Sequence, residues 1–154
     1  MTTCVVGIGQ RFGGDDAWGL LVIDELERRA LPGVALHRAK DASILIDLMA
    51  GDASLIVVDA IATEDARLGQ LLELRPSQLD ANAQDATSSH GIGVAQALEL
   101  GKVLYGTEPE QCVRILALGI RPPANVSTET SPTTLAGIGR GADRVEEMVI
   151  RRHA

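Results

Sequence analysis

Short β-branched runs alternate along the chain with stretches whose apolar residues recur three or four positions apart, which predicts strands alternating with helices. Cys4 to Ile8 reads as the first strand. A glycine-rich loop follows, and Val22, Ile23, Leu26 and Ala30 give one apolar face to a helix predicted from Asp16 to Ala30. Pro32-Gly33 closes that helix and leads into a second strand, Val34 to Arg38. Ser43 is the expected N-cap of a short helix through Leu45, Leu48 and Met49, which Gly51 ends. Leu55-Ile56-Val57-Val58 is an unbroken apolar run, as in a strand covered on both faces. Gln70 to Leu74 reads as a strand nearer an edge. Arg75 to Ser88 is polar and aperiodic, so a long loop is expected, and loops of that length are more often functional or disordered than merely connective. A helix from His90 to Tyr105, a strand from Val113 to Leu118, a turn at Arg121-Pro122-Pro123 and a helix from Pro132 complete the pattern. The alternation predicts one α/β domain over residues 1–154, built on a mostly parallel sheet.

Composition narrows the function classes. The 154 residues suffice for one sizeable core, yet there is one Trp, one Tyr and one Phe, so no aromatic platform for stacking bases or sugars is expected. A net charge of −7 argues against nucleic acid, whose phosphates are held mainly by Lys and Arg. No run approaches the roughly 18 apolar residues that cross a bilayer, and Met1-Thr2-Thr3 passes into Cys4-Val5-Val6 with no signal-like segment. Neither nucleic acid nor membrane is therefore an expected partner, and the cytoplasm is the expected compartment. Cys4 and Cys112 fall in apolar runs and read as buried, reduced thiols in strands. Neither has a CxxC partner that would suggest a metal.

Three candidate residues stand at the ends of predicted elements. The junction Gly7-Ile8-Gly9-Gln10-Arg11-Phe12-Gly13-Gly14-Asp15-Asp16 invites a dinucleotide-binding reading. However, Phe12 stands where the third glycine belongs, and two carboxylates occupy the helix start where a pyrophosphate would rest. Two negative charges there suit a cation, although one Asp could equally cap the helix. Asp59 closes the apolar run Leu55 to Val58, at the carboxyl end of a strand where open α/β sheets bind ligands. Capping of the next turn is its plain alternative. His90, in Ser88-Ser89-His90-Gly91, begins a helix after a polar loop, where a surface or capping role is the plain alternative. In a parallel sheet Asp16, Asp59 and His90 would share one rim. Two carboxylates and an imidazole form an O/N donor set suited to nickel, zinc, cadmium or manganese, and three ligands leave positions open.

These residues resemble the hydrogenase maturation protease family across nearly the whole chain. The family's opening strand, Gly-x-Gly-Asn, acidic pair and small-x-Gly ending are matched by Gly7-Ile8-Gly9-Gln10 and Asp15-Asp16-Ala17-Trp18-Gly19. An apolar strand ending in Asp-Ala is matched by Val57-Val58-Asp59-Ala60, and His-Gly at a helix start by Ser89-His90-Gly91. A late strand ending near Gly-Ile/Val-x-Pro is matched by Leu118-Gly119-Ile120-Arg121-Pro122. The resemblance implies an open twisted sheet with helices on both faces. It also implies an endopeptidase that removes the C-terminal extension of a nickel-iron hydrogenase large-subunit precursor after nickel insertion. Asp16, Asp59 and His90 then correspond to the family's metal ligands, with the nickel supplied by the precursor and with zinc or cadmium able to substitute. Asp16 or Asp59 is the expected catalytic carboxylate, and a monomer is expected.

The chain departs from the family pattern at Gln10, where Asn is usual, and at Gly13, where Arg is frequent. The family's Asp-x-Gly-Thr segment appears as Lys40-Asp41-Ala42-Ser43, which makes Asp41 and Ser43 the expected substrate-binding residues. That altered segment motivates an alternative, a catalytically silent module that checks nickel loading. A nucleotide-binding α/β protein is the third reading.

Overall fold

The structure is a computed structural model and describes residues 2–79, 92–121 and 128–153. Its centre is a five-stranded sheet in the order β2-β1-β3-β5-β4. The strands are β1 (Thr3–Ile8), β2 (Val34–Ala39), β3 (Ser54–Ala62), β4 (Leu71–Leu74) and β5 (Val113–Ile120). The first three and β5 run parallel, and β4 lies antiparallel to β5 at one edge. The mostly parallel α/β sheet anticipated from the alternating pattern is what forms, with β2 at the other edge.

Strand alternation divides the core between two faces. Val5, Ile56, Val58, Leu116 and Leu118 point to one side, where they pack with Trp18, Val22, Ile23 and Leu26 of α1 (Trp18–Arg29) and with Val145 and Met148 of α5 (Pro132–His153). Cys4, Val6, Leu55, Val57 and Ile115 point to the other side. There they meet Leu45 and Met49 of α2 (Ser43–Met49) and Ala97 and Leu98 of α3 (Val94–Tyr105). Each fully buried aliphatic side chain contributes about 1.5–3 kcal/mol, so aliphatic packing on both faces compensates for the scarcity of aromatics. The one tryptophan is fully buried, and its Nε1–H donates to the carbonyl of Gly137 at 3.1 Å.

Several element boundaries differ from the sequence-based expectation. The first helix opens at Trp18, because Gly14–Ala17 form a separate 3-10 turn, which puts Ala17 and not an acidic residue at the N-cap position of α1. It closes at Ala30, held in the left-handed region at φ 53° with its N–H bonded to the carbonyl of Leu26. Ser43 is the first residue of α2 and not its cap; its N–H is taken by Asp41 Oδ1 at 2.8 Å. β3 runs on to Ala62, so Asp59 sits within the strand and not at its end. The helix expected from His90 begins at Val94, after Gly93, whose N–H is accepted by Gln96 Oε1 at 3.3 Å. Pro76–Gln78 form a 3-10 turn inside the predicted loop, of which residues 80–88 lie outside the described residues. Cys112 is not in a strand: it ends α4 (Pro109–Cys112), which the polar sequence around Pro109 did not announce, and it is half-buried.

Candidate active site

The strand order defines where a ligand belongs. From β1 the chain proceeds outward to β2, then returns to β3 on the other side of β1 and continues away to β5, so the order reverses between β1 and β3. Open α/β sheets bind ligands at the carboxyl ends of the strands flanking such a reversal. Paired register ends at Gly7 and Val58, while β3 continues beside β5, with Asp59 opposite Ala117. Asp59 thus lies one step beyond the last β1 pairing. By alternation with Leu55 and Val57 it faces the α2/α3 side, and it is 2% exposed.

The glycine-rich loop brings Asp16 to the same place. A Cβ on Gly9 would overlap the carbonyl of Asp16, and one on Gly19 would overlap the carbonyls of Ile8 and Val58. These two glycines let the loop, β1, β3 and the first turn of α1 approach within backbone contact. They pack protein against protein, which leaves the dinucleotide reading without its phosphate cradle. On the outside of the loop, Arg11 Nη1 reaches Asp24 at 2.6 Å, and Arg38 bonds the same carboxylate at 2.9 and 3.0 Å. Burial alone would raise the pKa of Asp24, but these two guanidiniums outweigh it and hold the carboxyl below its ordinary range.

The neighbouring acids have different surroundings. Asp15 Oδ1 accepts the backbone N–H of Ser131 at 2.7 Å, and Thr130 Oγ1 donates to the carbonyl of Gly14 at 3.3 Å, so this side of the turn is fastened to the start of α5. Asp16 instead lines a narrow crevice with Asp59, Lys40, Asp41, Ile92 and Val94. The crevice encloses about 10 Å³, roughly the room of one water or ion. One oxygen of each carboxylate, Oδ1, is sealed from solvent. Gly9 N–H bonds the carbonyl of Ala39 at 3.0 Å and Ala42 N–H that of Ile92 at 3.3 Å, which lace the rim from β1 through the segment after β2 to the approach of α3.

Of the expected substrate-binding pair, Asp41 lines the crevice. Ser43 steadies it from below, and its hydrogen bonds hold the Asp41 carboxyl below the usual range. His90 lies outside the described residues. Among the described residues no three His, Cys, Asp or Glu side chains gather closely enough to hold an ion, although Asp16, Asp41 and Asp59 all line the crevice. Lys40 was missed as a lining residue. Its signal was its position just past β2, at the same rim as the other strand ends.

No protein-family model and no curated protein matches the chain. Solved structures do. Over 99% of this chain and 94% of the other, it superposes on the hydrogenase maturating endopeptidase HybD of Escherichia coli with a TM-score of 0.77 at 21% identity. An endopeptidase from Escherichia coli is 26% identical, with a TM-score of 0.73 over 94% of this chain and 90% of that one. The hydrogenase 2 maturation peptidase of a Thaumarchaeota archaeon is 27% identical, with a TM-score of 0.66 over 97% and 98%. The chain has the fold of the hydrogenase maturation proteases. Within that fold the crevice of Asp16 and Asp59 occupies the switch point of the sheet, and no helix among the described residues is long and apolar enough to cross a membrane.

Proposed function

We propose that the chain is an endopeptidase that removes the C-terminal extension of a nickel-iron hydrogenase large-subunit precursor once nickel has been inserted. The observation that carries this reading is the meeting of Asp16 and Asp59 in one crevice at the switch point of the sheet. The likeness to solved maturation peptidases along almost the whole chain supports it. In this reading the chain acts as a cytoplasmic monomer.

The nickel belongs to the substrate. Asp16, Asp59 and His90 are the residues that would receive it, a borderline O/N set that also suits zinc or cadmium. Ile92, two residues beyond His90 in the chain, lines the crevice, which supports an imidazole arriving from that segment. Holding the loaded precursor there brings its scissile bond beside the two carboxylates. A water then gives a proton to Asp16 or Asp59 as its oxygen attacks the scissile carbonyl. The same acid returns the proton to the departing amide nitrogen. A thiol route has no support, since Cys4 lies near the amino end of β1, Cys112 ends α4 just before β5 begins, and burial pushes both thiols up.

The test is to incubate the protein with nickel-loaded precursor and follow precursor mass. Wild-type protein shortens it, whereas Asp16→Asn, Asp59→Asn and His90→Ala leave it full length while circular dichroism reports an intact fold. Normal processing by Asp16→Asn and His90→Ala sinks the proposal. The altered segment Lys40 to Ser43 favours one competing reading, a silent module that checks nickel loading. A stable wild-type complex with no shortened product would select it.

A further inference from the structure

At the opposite end of the sheet from the crevice, where β3 and β5 begin, the surface opens into a cavity of about 520 Å³. Its wall carries Cys112, Arg114, Arg151 and Arg152. Arg114 is the second residue of β5, and Arg152 comes from the last turn of α5. Arg114 Nη1 donates to the carbonyls of Glu110 at 2.8 Å and Val113 at 2.7 Å, and Arg152 Nη1 donates to the carbonyl of Cys112 at 3.3 Å. Two guanidiniums are therefore held on the consecutive carbonyls of Cys112 and Val113. A carbonyl orients a guanidinium but does not cancel its charge.

Among the described residues neither arginine forms an ion pair with a carboxylate. Glu73 also lines the cavity, but Arg151 grips it at 2.9 and 3.1 Å and Arg144 approaches it at 3.7 Å. Asp52 lines the wall without pairing with either arginine. Many of the chain's arginines pair with acids, as Arg11, Arg29 and Arg38 do, whereas Arg140 is held, like Arg114 and Arg152, on backbone carbonyls. What sets Arg114 and Arg152 apart is that two guanidiniums without a carboxylate in ion-pair contact share one concave site. Burial and then the charge of Arg114 pull the Arg152 pKa down, against the smaller opposing pull of Glu73. A planar guanidinium offers forked donors to phosphate or carboxylate oxygens, and two such charges match a dianion.

We propose that this cavity binds a phosphate group, clamped between Arg114 and Arg152, either as the free ion or as part of a small phosphate ester. The site is separate from the crevice of Asp16 and Asp59 and does not depend on the proposed peptidase activity.

Isothermal titration calorimetry of the full chain with inorganic phosphate, glycerol 3-phosphate and acetate, at matched ionic strength, tests it. Saturable binding of phosphate is expected, with Arg114→Gln and Arg152→Gln each weakening it by about tenfold or more, the equivalent of one lost charge-assisted hydrogen bond. Tighter binding of glycerol 3-phosphate than of phosphate identifies an ester as the source, and equal binding identifies the phosphate group alone. Absence of saturable binding, binding undiminished in Arg152→Gln, or acetate bound as tightly as phosphate overturns the proposal. Thermal melts without anion separate binding from scaffolding. Removing one of two repelling charges should leave the melting temperature of Arg152→Gln unchanged or higher. A fall, with no shift of the wild type by phosphate, assigns Arg152 a structural role instead.

Discussion

The carboxylate of Asp15 accepts the backbone N–H of Ser131 at 2.7 Å, so the turn that presents Asp16 is anchored by its immediate neighbour to the start of α5. The pair of acids divides into an anchor and a site residue. Asp15→Ala should cost about 1.5–3 kcal/mol, the usual effect of losing a hydrogen bond to a charged group, while folded protein keeps measurable processing. Asp16→Asn, a change of nearly equal size, should end processing in protein that remains folded. Urea denaturation and product mass together check this, and parallel losses in both variants would refute the division.

Gly9→Ala tests the close approach of the loop to β1. Its methyl would meet the Asp16 carbonyl, so the turn has to move. A displacement near 1 Å at a reacting group costs on the order of a hundredfold in rate. The expected outcome is that loss in processing rate, measured at a temperature where the variant is fully folded.

Two glycines of α5 should respond with opposite signs. A Cβ at Gly139 meets nothing, and Gly139→Ala should stabilise the helix by about 0.5–1 kcal/mol. A Cβ at Gly141 would stand 2.8 Å from Trp18 Cζ2, and Gly141→Ala should destabilise by roughly 1–3 kcal/mol. Thermal melts of the two variants read both effects.

The Asp24 cluster predicts a pH dependence. Its folded pKa lies below its unfolded value, so its contribution is fully present above the unfolded value of about 3.9 and is lost as pH falls through the folded one. The carboxylate is partly exposed, which keeps the contribution small and sensitive to salt. The stability gap between wild type and Asp24→Asn should be largest at neutral pH and close on acidification below about pH 4. Urea titrations across that range measure it.

The mostly parallel sheet was legible because Val5, Val57 and their neighbours form short β-branched runs too apolar for any other position. The rim shared by Asp16 and Asp59 was legible for the same reason, since parallel strands put their carboxyl ends on one side. What escaped depended on local backbone chemistry. Asp15 and Asp16 read as a helix start, whereas the chain spends Gly14–Ala17 on a 3-10 turn first. Ser43 has the composition of a cap, but Asp41 takes its N–H and leaves Ser43 inside the helix. The separation of Asp15 from Asp16 was invisible, because the partner that distinguishes them, Ser131, is 116 positions away.

That distance has a consequence for the order of events during synthesis. Asp16 and Asp59 leave the ribosome early, as do the glycines that bring them together. The bonds from Ser131 to Asp15, and from Trp18 to Gly137, become possible only when α5 has emerged. A nascent chain therefore carries both crevice acids long before their turn is fastened, and α5 acts as the latch that completes it. Competence should arrive late and abruptly, when translation reaches that helix.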